Sequence, residues 1–340
     1  MKIAIHHRER SFSDRWISYC RKTNIPFKLV DCFATDIIDQ IQDCDALMWN
    51  WDHLDPRSTL FALQLIYSVE AMGKRVFPDS NTCWYFDDKI GQKYLFEAIG
   101  APYVDSYIFY SREEALKWID TITYPKVHKL RNGAGSYNVR LVNSRSKAKK
   151  IIKKSFRRGF QRFNSIVHFK ESIRNFKCNK SSVVNLTKAF LRLCFKVKIN
   201  KFCCREKGYV FFQDFIEGND SDIRVVIIAK RAFAIKRIVR RNDFRASGSG
   251  KILYEKELIP IETIEQAFKI SDKIKSQCIA FDFIKDNSGK FYIVEISHTF
   301  AVKGYDPCVG YWDKDLVFFE GNFNPQSWLV DMIVADADPE

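Results

Sequence analysis

From residue 124 to residue 136 the chain reads Tyr-Pro-Lys-Val-His-Lys-Leu-Arg-Asn-Gly-Ala-Gly-Ser. A short apolar and basic strand delivers Lys129 and breaks at once into a glycine-rich turn. Gly133 and Gly135 can take backbone angles closed to other residues, so N–H groups running to Ser136 can face one concavity. A cation beside such a nest suits the phosphates of a nucleotide. Glycine turns after strands are common, so the stretch constrains the fold only in company. The company is a pair of acids far downstream, Asp282 and Glu295, placed as a metal site needs them.

The bulk numbers set outer limits. At 340 residues there is room for two or three packed units, and 46% apolar content marks a globular chain. No run of 18 apolar residues exists, so no membrane span is expected. The opening Met1-Lys-Ile-Ala-Ile-His-His is too short and too quickly polar for a signal peptide and reads as a first strand. Together these predict a cytoplasmic protein. Ten scattered cysteines show no CxxC pair and no zinc spacing, and read as reduced core thiols. The net charge of +14 is local. Residues 145–207 hold 20 Lys/Arg against Glu171 and Glu206, so the remaining chain is net acidic.

Organisation follows from the hydrophobic pattern. Residues 1–84 alternate strand and helix like a small doubly wound α/β unit. Its strands are expected at 2–6, 27–32, 45–51 and 75–78, and its helices at 13–22, capped by Ser11 or Ser13, and 59–72. The strand ends at Ile5-His6-His7 and Asn50-Trp-Asp-His53 fall where open α/β sheets place ligands. A helix over 88–99 stops at Gly100 and carries Lys89 in its first turn, where a cation opposes the helix dipole and asks for a reason. Residues 85–144 form one subdomain, 145–207 a basic helical insert, and 208–335 an α+β subdomain with strands at 209–216, 222–229, 232–239, 281–285 and 291–296.

Lys89, Lys129, the Gly133–Ser136 loop, Gln213-Asp-Phe-Ile216, Asp222-Ile-Arg224, Asp282 and Glu295 then line up in order. Two carboxylates with nucleotide oxygens completing the shell are the usual arrangement for Mg²⁺. There is neither a GxxxxGK[ST] loop nor a GxGxxG loop. In this order of motifs the chain resembles the ATP-grasp superfamily, which includes ribosomal-protein glutamate ligases, glutathione synthetase, D-alanine–D-alanine ligase and biotin carboxylase. The resemblance covers roughly 85–300, with 1–84 resembling the domain that usually precedes it.

The resemblance implies roles residue by residue. Lys89 and Lys129 match the two phosphate lysines, and Gly133, Gly135 and Ser136 the mobile loop. Gln213, Asp214, Phe215 and Ile216 match the adenine hinge, with Asp214 where Glu is commoner. Asp222 and Arg224 match an Asp-x-Arg pair. Arg237 and Arg245 match arginines facing phosphate and the reacting carboxylate. Asp282 and Glu295 match the metal ligands. Two positions depart from the family: Ser297 and Ser247 stand where Asn is usual, and Ser297 is a weaker third ligand. His298 follows, on the opposite face of a strand by alternation.

The implied cofactors are ATP and Mg²⁺, with Mn²⁺ as a substitute. The implied reaction joins a carboxylate to an amine through an acyl phosphate. The alternatives are a kinase of the same fold acting on a hydroxyl and a non-catalytic ATP-binding protein, the latter drawing on Ser297 and Ser247. The interleaved basic and apolar residues of 145–207 suggest an anionic membrane surface on the inner face, or a lipid-linked substrate. A solvated insert over the cleft is the competing reading, and nucleic acid is disfavoured. The C-terminal Tyr305, Asp306, Tyr311, Trp312 and Asp313 resemble those of proteins found with bacterial surface-polysaccharide synthesis. They suggest a sugar-acid substrate, or equally a packing element. A homodimer is expected from the family.

Overall fold

A computed structural model describes residues 1–51, 55–133, 138–161, 169, 173, 187, 190, 205–240, 243–246 and 250–335. The first four strands are β1 Ile3–His6, β2 Phe27–Val30, β3 Ala46–Met48 and β4 Arg75–Phe77. They form one parallel sheet in the order β2-β1-β3-β4. Helices α1 Phe12–Thr23, α2 Ile37–Gln40 and α3 Pro56–Ala71 connect them. Ser11 caps α1, its hydroxyl accepting from Ser13 N, which decides between the two expected caps. The chain leaves β1 toward β2 and then crosses back to β3. The loops after β1 and β3 therefore part, and a crevice opens between them.

A second, antiparallel sheet contains β5 Ser106–Phe109, β6 Lys126–Lys129, β7 Arg140–Val142 and β8 Val210–Asp214, in the order β5-β8-β6-β7. The expected subdomain boundary at 208 shifts here. Strand β8 returns after the basic segment and pairs Lys126 with Asp214, so this sheet runs on to residue 214. Helices α4 Ser80–Cys83, α5 Lys89–Ile99, α6 Arg112–Trp118 and α7 Arg145–Ser155 lie in this half of the chain. Of the basic insert, α7 is helical as expected. It buries Ala148, Ile151, Ile152 and Ser155 and leaves Lys149, Lys150, Lys153 and Lys154 exposed. Most of 162–204 lies outside the described residues.

The third sheet has seven strands: β9 Ser221–Ile228, β10 Arg231–Ile238, β11 Ile252–Leu253, β12 Cys278–Lys285, β13 Phe291–Ser297, β14 Gly310–Asp313 and β15 Phe318–Glu320. Its order is β13-β12-β9-β10-β14-β15, with β11 added beside β10. Helices α8 Ile261–Ile274 and α9 Pro325–Ala335 complete the chain. The short strands β11, β14 and β15 carry no alternation that the sequence reading used.

One apolar core joins the first sheet to the third. Ile3, Ile5, Phe12 and Trp16 pack in the same cluster as Phe233, Ile235, Trp328, Leu329 and Ile333. The second sheet has its own cluster, with Ala115, Ile119, Val142, Ile152 and Phe212. Among the described residues no helix is long and apolar enough to cross a membrane. The six described cysteines are buried and unbridged. Cys178, Cys194, Cys203 and Cys204 lie outside the described residues.

Candidate active site

Lys89 opens α5 behind an Asp88 cap that accepts from Ile90 N and Gly91 N. The side chain is 2% exposed. Its Nζ lies 3.0 Å from Glu295 Oε1 and donates to the Gly133 carbonyl at 2.9 Å. Burial works against its charge, but Glu295, Asp87 and Asp88 outweigh it and raise the pKa. That ion pair is the reason for a cation at a helix N-terminus. Lys129 is buried in β6 and donates to the Val294 carbonyl at 3.3 Å. Burial lowers it to about 8, with Glu295 opposing and Lys89 reinforcing the shift.

The two acids face each other across β12 and β13, in register Asp282 to Glu295, with the ladder shifting just beyond. Arg224 is the cross-strand neighbour of Asp282 and Arg237 that of Asp222. Side chains of cross-strand neighbours share a face, so one side of four strands carries five charged groups. Arg224 Nη1 donates to Asp282 at 2.9 Å, and Arg237 Nη2 lies 2.9 Å from the other oxygen. Arg237 also grips Asp222 with two bonds of 2.7 and 2.6 Å. Burial alone would raise Asp282, but the two arginines hold it below its ordinary value.

Two cavities meet at these acids. The smaller, about 150 Å³, is a slot between the second and third sheets. Val127, Phe215, Ile216, Phe244 and Ile284 give it apolar walls, and Lys129, Asp282 and Glu295 line it too. The larger, about 490 Å³, lies between the first and third sheets. Its lining includes Arg8, Asn50, Arg224, Arg237, Asp282, Glu295, Ser297 and Tyr305.

By sequence, no family model and no curated protein matches the chain. By structure, it is similar to a RimK domain ATP-grasp protein from Sphaerobacter thermophilus (13% identity, TM-score 0.57), covering 98% of this chain and 100% of that one. It is similar over 98% of its length to D-alanine–D-alanine ligase from Bacillus anthracis (14% identity, TM-score 0.57, 96% of that chain). It is also similar over 99% of its length to the ATP-grasp ligase PsnB (12% identity, TM-score 0.58, 99% of that chain). The chain has the ATP-grasp fold.

On this fold the remaining expected residues fall as follows. Gly133 stands at φ 126°, its N–H donating to Asp87 at 2.7 Å. Gly135, Ser136 and Ser247 lie outside the described residues. Gln213, Asp214, Phe215 and Ile216 all border the slot. The Gln213 amide turns to Ser106 at 3.0 Å, and Asp214 pairs with Lys126 at 2.7 Å. Asp222 and Arg245 also line the slot, with Arg245 braced on Asp243 at 2.7 Å. Arg237 is in the other cavity, so the two expected arginines face different spaces.

Ser297 lines the large cavity, but its hydroxyl is occupied, donating to Thr299 O at 3.0 Å and accepting from Thr299 N. His298 is fully buried against Trp51 and Phe86, with neither ring nitrogen hydrogen-bonded, and burial lowers it to about 3. Among the described residues no three His, Cys, Asp or Glu side chains cluster as a metal cage. Two hard carboxylates at the junction of the cavities still fit Mg²⁺, which takes few protein ligands and fills its shell with phosphate oxygens and water.

Of the C-terminal aromatics, only Tyr305 reaches the large cavity. Tyr311 stacks on Phe319 and Trp312 packs on Phe318. Asp306 pairs with Arg15, and Asp313 accepts two backbone bonds in its own turn. These four form the packing element.

Two groups of residues at the candidate site escaped the sequence reading. Gln92 is fully buried and bonds both sides of Ile296, N to Oε1 at 3.2 Å and Nε2 to O at 2.9 Å. It fixes the strand beside Glu295. Its place three residues after Lys89, on the same helix face, was the available signal. Arg8 and Arg10 were the other omission. They sit just past a strand end already marked as a ligand position, but the marked His6 turns away to accept from Cys32 N.

Proposed function

We propose that the protein is an ATP-dependent carboxylate–amine ligase forming an amide through an acyl phosphate. The observation that carries this reading is the junction: a slot of base size with apolar walls and a larger cavity bearing Arg224 and Arg237 share Asp282 and Glu295. A phosphoryl group lying between those acids is within reach of both spaces. Lys89 and Lys129 would hold its phosphates, Asp282 and Glu295 the metal, and Arg237 and Arg224 the incoming carboxylate. Mg²⁺, when bound, would neutralise charge on the phosphates.

In the first step a carboxylate oxygen attacks the terminal phosphorus, and the bond to the ADP oxygen breaks with its electron pair leaving on ADP. In the second, the amine nitrogen attacks the acyl carbon, phosphate departs, and the amine gives its proton to water. Positioning and charge neutralisation suffice, which agrees with a site of lysines, arginines and acids.

The test is ADP release with Mg²⁺-ATP over a panel of acids, with hydroxylamine as trapping amine. A hydroxamate supports the ligase. ADP with a phosphorylated alcohol and no hydroxamate replaces it with the kinase. A sugar acid from surface-polysaccharide synthesis belongs in the panel, although Tyr305 is the sole aromatic of the C-terminal five in the cavity.

We further propose that the exposed lysines of α7 meet an anionic lipid surface or a lipid-linked substrate at the membrane's inner face. Lys149, Lys150, Lys153 and Lys154 with Arg157 and Arg158 make a face without an acid. Sedimentation with phosphatidylglycerol vesicles checks it. Binding at low salt that is lost when the four lysines become Glu supports the surface; no sedimentation removes it.

A further inference from the structure

Tyr305 is a core residue with its polar end in the large cavity. The residue is 7% exposed and belongs to the apolar cluster that joins the first and third sheets. Its ring meets Phe300 and Phe233 edge to face, with centroids 4.9 and 5.6 Å away. A buried tyrosine usually bonds its hydroxyl to a partner inside the protein. Among the described residues the Tyr305 hydroxyl has no such partner, although the residue lines the cavity. What surrounds it is charge. Burial pushes the hydroxyl up to about 12, with Arg224 and Arg237 opposing the rise and Asp282 adding to it. It therefore keeps its proton near neutral pH and is available as a donor.

The neighbouring polar groups are turned to internal acceptors. Arg237 directs Nε and Nη2 at Asp222 and Asp282. Arg224 directs Nη1 at Asp282 and Nη2 at the Thr299 carbonyl, 3.3 Å away. The Ser297 hydroxyl donates to the same carbonyl, and Asn50 Nδ2 donates to Thr299 Oγ1. The O–H of Tyr305 is thus an uncommitted donor close to two positive charges. The turn that carries it is fastened on both sides. Tyr254 donates its hydroxyl to the Gly304 carbonyl at 3.0 Å, and Arg15 pairs with Asp306 at 2.7 Å. Tyr305 N donates to Val302 O, and Tyr305 O accepts from Cys308 N, both at 3.1 Å. A ligand meeting this hydroxyl finds it already oriented.

We propose that Tyr305 is a substrate-binding residue, its hydroxyl donating a hydrogen bond to the carboxylate of the acid that this site activates. Arg224 and Arg237 supply the positive field that draws the carboxylate in. Tyr305 supplies a donor of fixed direction, which holds one carboxylate oxygen and leaves the other to face the junction at Asp282 and Glu295. The proposal rests on the ligase reading for the identity of the ligand as a carboxylate; the uncommitted hydroxyl is observed without it.

Equilibrium binding tests it without turnover. Wild type is saturated with a non-hydrolysable Mg²⁺-ATP analogue and titrated calorimetrically with two acid probes, acetate and butyrate. Tyr305→Phe keeps the ring and removes only the hydroxyl. It should weaken both acids about tenfold, the contribution of one hydrogen bond to a charged group, and leave the affinity for the analogue unchanged. Tyr311→Phe removes a hydroxyl from the packing element and should leave both acids at the wild-type value. Equal affinity of the acids for wild type and Tyr305→Phe, or no heat from either acid with wild type at about 10 mM, would overturn the proposal. So would a fall in thermal stability of Tyr305→Phe with analogue and acid binding reduced together, which would assign the hydroxyl to the fold. Unchanged unfolding with acid binding alone reduced supports it. Because no ADP is read, this experiment can fail while hydroxamate trapping succeeds, and the reverse.

Discussion

The two cavities that meet at Asp282 and Glu295 are built differently. The slot is small, walled by Val127, Phe215, Phe244 and Ile284, and drawn from two sheets that close on each other. The large cavity carries Arg224 and Arg237 beside the two acids, and part of its wall comes from the loops after β1 and β3. Apolar walls select shape and tolerate many sequences; paired charges and loop arginines select one chemistry. The slot is therefore the better suited of the two to a flat apolar ring, and the large cavity to a charged ligand.

The strongest way to break that division is at the junction. Asp282→Asn and Glu295→Gln should each lower ADP release at least a hundredfold, about 2.7 kcal/mol or more, whatever acid is supplied. A residue of one cavity alone should instead affect one ligand. If either variant kept wild-type ADP release, the two spaces would not share a phosphoryl group.

Next in size is Lys89→Met. It leaves Glu295 without its 3.0 Å partner and frees the Gly133 carbonyl. Loss of one member of a buried pair costs about 3–5 kcal/mol, and half-exposed Glu295 recovers part of this through water. A clear fall in the urea midpoint is expected, together with weaker nucleotide binding. Arg10→Ala, on the open cavity wall, should stay within about 0.5 kcal/mol of wild type. Equal stability losses would mean that the large cavity is structural too.

The slot side also carries a pH signature. His128, adjacent to Lys129, is 1% exposed against Phe160 and Phe212, and burial lowers its pKa from 6.5 to about 3. Between those values the unfolded chain binds a proton that the native chain refuses. Stability therefore falls as pH falls from 6.5 toward 3, at about 1.4 kcal/mol per unit for this residue. His128→Leu should flatten the decline seen in urea melts at pH 7 and pH 5. An unchanged slope would place the acid sensitivity elsewhere.

A local effect is expected at Gly133. At φ 126° an alanine is strained, and its Cβ would stand 3.4 Å from Asn138 Nδ2. Gly133→Ala should cost about 1–2 kcal/mol and weaken ATP-analogue binding in calorimetry, with the acid probes unaffected. Weakened binding of the acids instead would show that the loop serves the large cavity.

Much of the charged junction was legible because its parts obey local rules. Lys89 stood out as a cation where a helix dipole disfavours one, and Asp282 and Glu295 as acids in alternating strands. What failed to show was non-local. Strand β8 joins the second sheet through pairing across more than eighty residues, from Lys126 to Asp214, and no local pattern reports that. The arginines at 8 and 10 sit in a turn without periodicity. Tyr311 and Trp312 resemble ligand-binding aromatics until β15 is known to cover them with Phe319 and Phe318.

The apolar cluster shared by the first sheet and α9 bears on how the chain is made. Trp328, Leu329 and Ile333 fill space beside Ile3, Phe12 and Trp16, and Tyr19 reaches Asp331 at 2.7 Å. A ribosome releases the first sheet's strands long before it releases these partners. Until residue 325 and those after it emerge, that face of the sheet is incompletely covered, and a nascent chain stopped short of them would expose it to chaperones and proteases. Docking of α9 is thus the step that closes this face.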